Sequence, residues 1–264
     1  MKLPQPTIAW VGGAAAVGKT SVMRDVIKTI DNAVLIEKDI ALEHFLHANP
    51  FKLAKPDGTI DEDTRLSFSS PEYARHFRDQ VYASMFAQAL ALASQGKSSF
   101  LDANYIGWLT GANGGKDGRI SLARRVVNMY DDVQKNPGPL RDAIPNLDEF
   151  RMTTLFFYVT DPNVVRERMV NRMALDPAAK DRDFSKVATD EAWAKQLERE
   201  PVTYLQQLNQ YSDLLAIDLT EPYAGRSRKR VKSDIREFLS IPAVLSDTGI
   251  FKDESLDETF MRYR

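Results

Sequence analysis

Eight consecutive residues near the start of the chain have the types and spacing of a phosphate-binding loop. They read Gly13-Ala14-Ala15-Ala16-Val17-Gly18-Lys19-Thr20 and match G-x-x-x-x-G-K-[ST] at every fixed position. Such a loop wraps a phosphate with backbone N–H groups, and the helix that follows favours negative charge at its start. The motif predicts that Lys19 contacts β- and γ-phosphates and that Thr20 binds Mg²⁺. The predicted phosphate-binding residues are Gly13, Ala16, Val17, Gly18, Lys19, Thr20 and Ser21.

Asp102 ends a short apolar segment, Ser98–Asp102. In phosphate-loop proteins a carboxylate at the end of an apolar strand holds Mg²⁺, often through water. Asp102 is therefore the second predicted metal ligand, beside Thr20. The alternative is that Asp102 only caps the end of its strand.

A further carboxylate, Asp39, follows the apolar segment Ala33–Glu37. Because parallel strands end at one edge of a sheet, Asp39 should lie on the phosphate-loop side. A carboxylate there could accept the proton of an attacking hydroxyl group. Asp39 could instead be the N-cap of a helix that begins near Ile40. Glu37 is the reserve candidate for the base.

Arginines cluster after the fourth apolar segment, where Arg168 and Arg172 are four residues apart and share a helix face. Such side chains could form a lid that neutralises charge on a transferring phosphoryl group. A solvated helix face paired with nearby acids is the alternative. The predicted lid residues are Arg166, Arg168, Arg172 and Arg182, of which Arg168 and Arg172 join Lys19 and Asp39 as predicted catalytic residues.

Two clusters of basic residues could contact the phosphates of a nucleic acid. One runs from Arg226 to Lys232 with no acid among its members, and the other lies between Lys116 and Arg125. Aromatic Tyr105 and Trp108 could stack on a base or belong to the core. An ordinary solubilising surface is the alternative for both clusters. The candidate nucleic-acid contacts are Arg124, Arg125, Arg228, Lys229 and Arg230.

These residues need a framework that brings them to one place, and apolar segments alternating with helical patterns predict it. The segments are short, nearly all apolar and well separated, which is typical of buried parallel strands in a doubly wound α/β sheet. The predicted strands are Thr7–Gly12, Ala33–Glu37, Ser98–Asp102, Thr153–Thr160 and Leu214–Leu219. The predicted helices are Ser21–Ile30, Pro71–Gln95, one starting at Asp161 with Pro162 in its first turn, Asp190–Tyr211 and Ser227–Leu239.

The pattern predicts one domain over residues 1–246 with a polar, acidic tail over residues 247–264. Residues 51–70 and the glycine-rich residues 111–118 look irregular, and residues 111–150 are interpreted as an insertion that carries a helix over Ile120–Val133. The lid is expected at about residues 163–186, with a polar, mobile stretch over Asp176–Lys186.

Composition excludes several classes of function. The chain has 264 residues, 35 Lys plus Arg, 37 Asp plus Glu and a net charge of −2, which excludes a globally basic nucleic-acid coat. Without cysteine there is no disulfide, Cys-bound zinc or thiol catalysis. No apolar run reaches the ~18 residues of a membrane span, and glycines and prolines argue against a secretion signal, so we expect a cytoplasmic protein without a membrane partner.

Taken together, the chain resembles the P-loop kinases of the nucleotide-kinase and polynucleotide-kinase type over about residues 7–239. The resemblance rests on the phosphate loop, Asp39 after strand two, Asp102 at the end of an apolar strand and the arginines after strand four. It implies a three-layer sandwich whose parallel sheet has the order 2-3-1-4-5, with helices on both faces. It also implies ATP and Mg²⁺ as cofactors and transfer of the γ-phosphoryl group to an acceptor.

By the same resemblance, Asp39 matches the acidic residue with which polynucleotide-type kinases activate a hydroxyl group. Two departures separate the chain from adenylate- and thymidylate-type kinases: no clear monophosphate-binding arginine motif follows strand two, and residues 111–150 have no counterpart there. Both favour a hydroxyl acceptor, on DNA or on a nucleotide. The chain also looks like the phage kinases that act on hydroxymethylpyrimidines in DNA.

Three other functions compete with this interpretation. A small-molecule kinase would act on a nucleoside, sugar or antibiotic hydroxyl, and a non-catalytic module would bind ATP without transferring phosphate. A nucleotide-driven switch or motor fits less well: the chain lacks D-x-x-G and N-K-x-D, and Ala103 follows Asp102 where motors usually place Glu.

Overall fold

The computed structural model describes residues 1–40, 53–54, 60–61, 73, 77–104, 122–135, 145, 149–197 and 214–241. Seven strands fall within these ranges. They are β1 (Thr7–Gly13), β2 (Ala33–Glu37), β3 (Leu53–Ala54), β4 (Ile60–Asp61), β5 (Ser98–Asp102), β6 (Arg151–Tyr158) and β7 (Leu214–Asp218).

Five of these strands form one sheet in the order β2-β5-β1-β6-β7, and every neighbouring pair is parallel. Counted along the chain without the β3–β4 pair, the order is 2-3-1-4-5, as the resemblance to P-loop kinases implied. Because all five strands run the same way, their carboxyl ends share one edge, where ligands bind in sheets of this type.

Helices connect the strands and cover the sheet. They are α1 (Lys19–Val26), α2 (Arg78–Ala93), α3 (Leu122–Lys135), α4 (Pro162–Leu175), α5 (Pro177–Val187), α6 (Asp190–Leu197) and α7 (Gly225–Ser240), with a 3₁₀ turn over Ile27–Thr29 after α1. Among the described helices, none combines the length and the apolar character needed to cross a bilayer.

Two cores lie on opposite faces of the sheet, because side chains alternate along a strand. On β1, Ile8 and Trp10 enter the core that α2 covers, where the Trp10 ring stacks on Phe86 with centroids 5.6 Å apart. Ala9 and Val11 enter the other core, beneath α1, α4 and α7. This arrangement confirms the three-layer sandwich with helices on both faces.

Most predicted elements are confirmed, with shifts at their ends. β2 and β5 have the predicted bounds, whereas β6 begins and ends two residues earlier than predicted. In the segment predicted to be irregular, β3 and β4 pair in antiparallel fashion. The last part of the predicted helix Asp190–Tyr211 lies outside the described residues.

The polar stretch after α4, over Asp176–Lys186, was not predicted to be helical, but Pro177–Val187 forms the helix α5. The sequence shows why a helix begins there. Asp176-Pro177 repeats the Asp161-Pro162 pair that begins α4, where Asp161 accepts a hydrogen bond from the backbone N–H of Asn163 at 2.9 Å. Proline is favourable in the first helical turn, so a polar composition did not prevent a helix here.

Arg151, the first residue of β6, links the sheet to the carboxyl end of the last helix, α7, through hydrogen bonds. Arg151 is only 3% exposed, and its Nη1 atom donates to the backbone carbonyls of Phe238, Leu239 and Ile241 at 3.1, 3.3 and 2.9 Å. Its guanidinium also lies 4.9 Å from the centre of the Phe238 ring. A cation at the carboxyl end of a helix satisfies carbonyls that have no partner within the helix.

Candidate active site at the phosphate loop

The predicted phosphate loop lies between β1 and α1, at the carboxyl edge of the sheet. Gly13 ends β1 with a φ of 143°, and a Cβ atom there would lie 2.3 Å from the Phe157 carbonyl oxygen of β6. Gly18 stands at the N-cap of α1 with a φ of 104°. The close approach of β6 requires the first glycine, and the left-handed turn into the helix favours the second.

Lys19 and Thr20 begin α1 and converge on Asp102, which ends β5. The Thr20 hydroxyl donates to the Asp102 carboxylate, and the Lys19 ammonium lies 3.9 Å from its Oδ1 atom. Lys19 also donates to the Ala14 carbonyl within the loop at 3.4 Å. Because β1 and β5 are neighbours with Val11 level with Asp102, strand pairing itself brings the two predicted metal ligands together.

The environment of Asp102 suits a divalent cation. The residue is 5% exposed, and burial raises the pKa of its carboxyl group while Lys19 and the Thr20 hydrogen bond act in the opposite direction. A buried carboxylate beside a hydroxyl offers the hard oxygen ligands that Mg²⁺ prefers. Within the described ranges no cluster of three or more His, Cys, Asp or Glu could hold a metal. Mg²⁺ commonly takes one or two protein ligands and completes its shell with phosphates and water, so the Asp102 carboxylate and the Thr20 hydroxyl would be enough to hold it.

Two carboxylates follow β2, and the structure separates their roles. Glu37 accepts two hydrogen bonds from Arg24 of α1, at 2.8 and 2.6 Å. Asp39 is 56% exposed and lies 3.3 Å from the Lys38 ammonium. Helical backbone begins at Lys38, so Asp39 lies inside the first turn and not at its N-cap. Asp39 is thus the more exposed of the two carboxylates, whereas Glu37 is paired with Arg24.

Asp39 lies within electrostatic reach of Asp102 as well. In the sheet, Glu37 of β2 is level with Asp102 of β5. The negative charges of Glu37 and Asp39 both raise the pKa of the Asp102 carboxyl group, after the larger effect of burial. Glu37 at the end of β2, Asp39 after it and Asp102 at the end of β5 therefore share the carboxyl edge of the sheet.

Arg168 of α4 joins two loops of the site. Its guanidinium donates to the Val17 carbonyl of the phosphate loop at 3.0 Å and to the Leu219 carbonyl after β7 at 2.8 Å. Burial lowers the pKa of this guanidinium. In this structure Arg168 holds the shape of the phosphate loop, a contact that the sequence did not predict.

The other predicted lid arginines bind acidic residues of α5 and α6. Arg172 donates to Asp183, a carboxylate that is 1% exposed and also accepts from Lys186 at 2.8 Å. Arg166 pairs with Asp190 at 2.9 Å. The two cations hold the pKa of Asp183 below its usual range despite burial. The side chain of Arg182 lies outside the described part of the molecule.

Asp25 of α1 neutralises part of the positive charge of the basic cluster on α7. Asp25 accepts two hydrogen bonds from Arg228, both at 2.8 Å, and one from the Tyr223 hydroxyl at 2.9 Å, and it lies 3.3 Å from Lys232. Lys229 and Arg230 are exposed. Arg124 and Arg125 lie on α3, but their side chains, like Lys116, Arg119, Tyr105 and Trp108, fall outside the description.

Sequence reasoning missed several residues that shape the site. Arg24, Asp25 and Asp183 act through partners that are distant in the chain, and no local motif marks them. Lys38 had a signal, because it lies between Glu37 and Asp39 at the end of a strand that leads to the phosphate-loop edge.

Comparison with known proteins supports the fold. No protein-family model matches the chain, and no curated protein matches it in sequence. Among solved structures, it is similar to a protein from Chloroflexus aurantiacus j-10-fl that carries the provisional name of a kinase. The TM-score is 0.53 at 15% identity, over 89% of this chain and 98% of the other. The chain therefore has a kinase-like α/β fold.

Proposed function

We propose that this protein is an ATP- and Mg²⁺-dependent kinase that transfers the γ-phosphoryl group to an acceptor hydroxyl. The observation that carries the proposal is the convergence of Lys19 and Thr20 on Asp102, with Asp39 at the same edge of the sheet. A phosphate loop alone fits any nucleotide-binding protein. A carboxylate placed after β2 adds a group that could activate an acceptor.

In the proposed reaction, the phosphate loop and Lys19 bind the β- and γ-phosphates of the donor. Asp39 accepts the proton of the acceptor hydroxyl as its oxygen forms a bond to the γ-phosphorus. The bond from the γ-phosphorus to the bridging oxygen breaks, and its electron pair leaves with ADP. Thr20 and Asp102 would hold Mg²⁺, which supplies charge neutralisation at the phosphates.

The proposed acceptor is a hydroxyl on DNA or on a nucleotide, such as 5-hydroxymethyluracil in DNA. The observation that supports this acceptor is the basic side of α7, on which Lys229 and Arg230 are exposed. A second candidate is a small-molecule kinase that acts on a nucleoside, sugar or antibiotic hydroxyl. The pairing of Arg228 and Lys232 with Asp25 favours this candidate, since it removes charge from the cluster that DNA would contact.

Transfer of labelled γ-phosphate from ATP to a panel of acceptors tests the proposal. The panel holds nucleosides, nucleoside monophosphates, 5′-hydroxyl DNA and DNA with 5-hydroxymethyluracil. We expect label on one acceptor, lost in Lys19→Met and kept in Lys28→Met, which removes an exposed lysine after α1. ATP hydrolysis at a brisk rate without any acceptor would contradict a kinase, and ATP binding without turnover would indicate a non-catalytic module.

The same panel separates the two classes of acceptor. Label on DNA should fall in the double variant Lys229→Gln, Arg230→Gln, and the residual transfer should depend less steeply on salt. Label on a free nucleoside or other small molecule, unchanged in that variant, would overturn the DNA proposal and support the second candidate.

A further inference from the structure

Lys38 lies at the junction of β2 and the helical turn that carries Asp39. Its side chain is 12% exposed, and its ammonium lies 3.3 Å from the Asp39 Oδ1 atom, whereas Asp39 is 56% exposed. The ammonium is therefore on the protein side of the candidate base, and the carboxylate faces outward. Lys38 follows Glu37, which is level with Asp102 in the sheet.

Two other lysines act on Lys38 from different elements. Burial lowers the pKa of the Lys38 ammonium most, and Asp39 raises it. The charges of Lys19, at the start of α1, and of Lys186, on α5, lower it by smaller amounts. The Lys38 ammonium, directly after β2, is thus within electrostatic reach of Lys19 in the phosphate loop and of Lys186 in the lid region.

Clustered ammonium groups repel one another, and burial adds to the cost of keeping them charged. A polyphosphate binding between them would offset that cost, because it brings several negative charges to one place. An ammonium group has three N–H donors in a tetrahedral arrangement. A single ammonium such as that of Lys38 can therefore contact a carboxylate and a phosphate oxygen at the same time.

We propose that Lys38 binds the phosphoryl group in transfer while it holds Asp39, so that one ammonium brings the base and the γ-phosphorus together. The inference rests on the proposed kinase function. In the transfer, the acceptor oxygen bonds to phosphorus, the bond to the ADP oxygen breaks, and the acceptor proton goes to Asp39. Lys38 keeps its own protons and offsets the charge on a non-bridging oxygen.

The first test compares Lys38→Met with Lys97→Met in the full chain. Lys97 is a matched control, because it is also partly buried and lies directly before β5, at the edge of the sheet opposite the phosphate loop. We expect Lys38→Met to lower kcat by ~10²–10³-fold, the usual effect of removing one preorganised donor, with the KM for ATP changed less than ~3-fold. Lys38→Arg should recover part of the rate. Loss of less than ~3-fold in Lys38→Met overturns the proposal.

A double variant separates phosphoryl contact from simple positioning of Asp39. If Lys38 acted only through Asp39, Lys38→Met would add nothing to Asp39→Asn. We expect the double variant to be slower than Asp39→Asn by a further ~10-fold. Equal rates for the double variant and Asp39→Asn would contradict the contact with the phosphoryl group.

A binding measurement keeps this inference distinct from the kinase function. ADP, Mg²⁺ and aluminium fluoride together mimic the phosphoryl group in transfer, and ADP with Mg²⁺ alone does not. We expect Lys38→Met to weaken the aluminium fluoride complex ~10-fold or more and ADP less than ~3-fold, with the melting temperature retained. Failure of the wild-type protein to label any acceptor overturns the proposed function, whereas equal affinities of Lys38→Met and wild type overturn the role of Lys38.

Discussion

Arg24 of α1 donates two hydrogen bonds to the Glu37 carboxylate at the end of β2, at 2.8 and 2.6 Å. This paired geometry matches the fork of a guanidinium to a carboxylate. It assigns Glu37 to the support of the phosphate-loop helix. Asp39, two residues later, is the carboxylate that remains at the exposed edge.

The pairing predicts a difference between two substitutions of the same kind. Asp39→Asn should reduce phosphoryl transfer by ~10²–10⁴-fold with ATP affinity retained, because it removes the proton acceptor. Glu37→Gln, which removes an equal charge two residues away, should keep transfer within ~10-fold, since a general base contributes far more than a supporting contact. Steady-state kinetics on both variants measure this. A larger loss in Glu37→Gln would make Glu37 the base.

Arg168 should affect ATP binding through the shape of the phosphate loop. Arg168→Met removes the hydrogen bonds to the Val17 and Leu219 carbonyls, each worth about 1–3 kcal/mol in a charge-assisted contact. We expect weaker ATP binding by titration calorimetry and a lower melting temperature. Arg172→Met, which loses Asp183 but leaves the loop contacts, is the comparison. Unchanged ATP affinity with a reduced kcat would instead indicate a direct contact of Arg168 with the transferring group.

The ion pairs of Asp25 predict how stability depends on pH. Hydrogen bonds from Arg228, Tyr223 and Lys232 hold the pKa of the Asp25 carboxyl far below its usual value of about 3.9. A folded-state pKa that is lowered gives stability that is complete above the unfolded value and is lost as the pH falls toward the folded value. Asp25→Asn should therefore melt below wild type at pH 7, and the gap should shrink as the pH falls below about 4.

Thermal melts of wild type and Asp25→Asn from pH 7 to pH 3 check this expectation. Asp31→Asn is the control, because Asp31 lies 3.6 Å from the N-terminal amino group and is largely exposed. Exposed ion pairs contribute little to stability, so Asp31→Asn should melt close to wild type. A gap for Asp25→Asn that stays constant over this range would mean that the carboxylate charge does not matter.

Gly13 and Gly96 differ both in backbone conformation and in the space that a Cβ atom would find. A Cβ atom at Gly13 would lie 2.3 Å from the Phe157 carbonyl oxygen, whereas one at Gly96 would meet nothing within 4 Å. Gly96 has a φ of 72°, in the left-handed region, so Gly96→Ala should cost about 1–2 kcal/mol from conformation alone. Gly13→Ala should cost about 1–3 kcal/mol more, because β1 and β6 must separate and because a φ of 143° is one that only glycine adopts readily. Urea unfolding at equal m-values measures the difference, and equal costs would refute the steric argument.

The sheet and its edge were predictable because their signals are local. β2 has four consecutive apolar residues that are half-buried, and β5 is a fully buried strand that ends in Asp102, so both strands were recognised from a few neighbouring residues. The phosphate loop is a contiguous motif, and parallel pairing then places Asp39 and Asp102 at its edge. Each of these steps uses neighbours in sequence or a general rule of sheet topology.

Long-range pairing was not predictable in the same way. Asp25 and Arg228 are 203 residues apart, and no local sequence pattern near either residue indicates that they pair. The cluster around Arg228 therefore looked like free positive charge when read from the sequence. The helix α5 is a different case: its Asp-Pro start was visible, but its polar composition outweighed that signal in the interpretation.

The contact of Arg151 with the end of α7 has a consequence for how the chain is made. Ribosomes release the polypeptide from its amino end, so β6 emerges about ninety residues before the three carbonyls, of Phe238, Leu239 and Ile241, that accept its guanidinium. Until Ile241 has left the exit tunnel, this buried cation lacks those acceptors. A nascent or truncated chain that stops before Phe238 therefore lacks these three acceptors for Arg151, and with them the contact that joins the start of β6 to the end of α7.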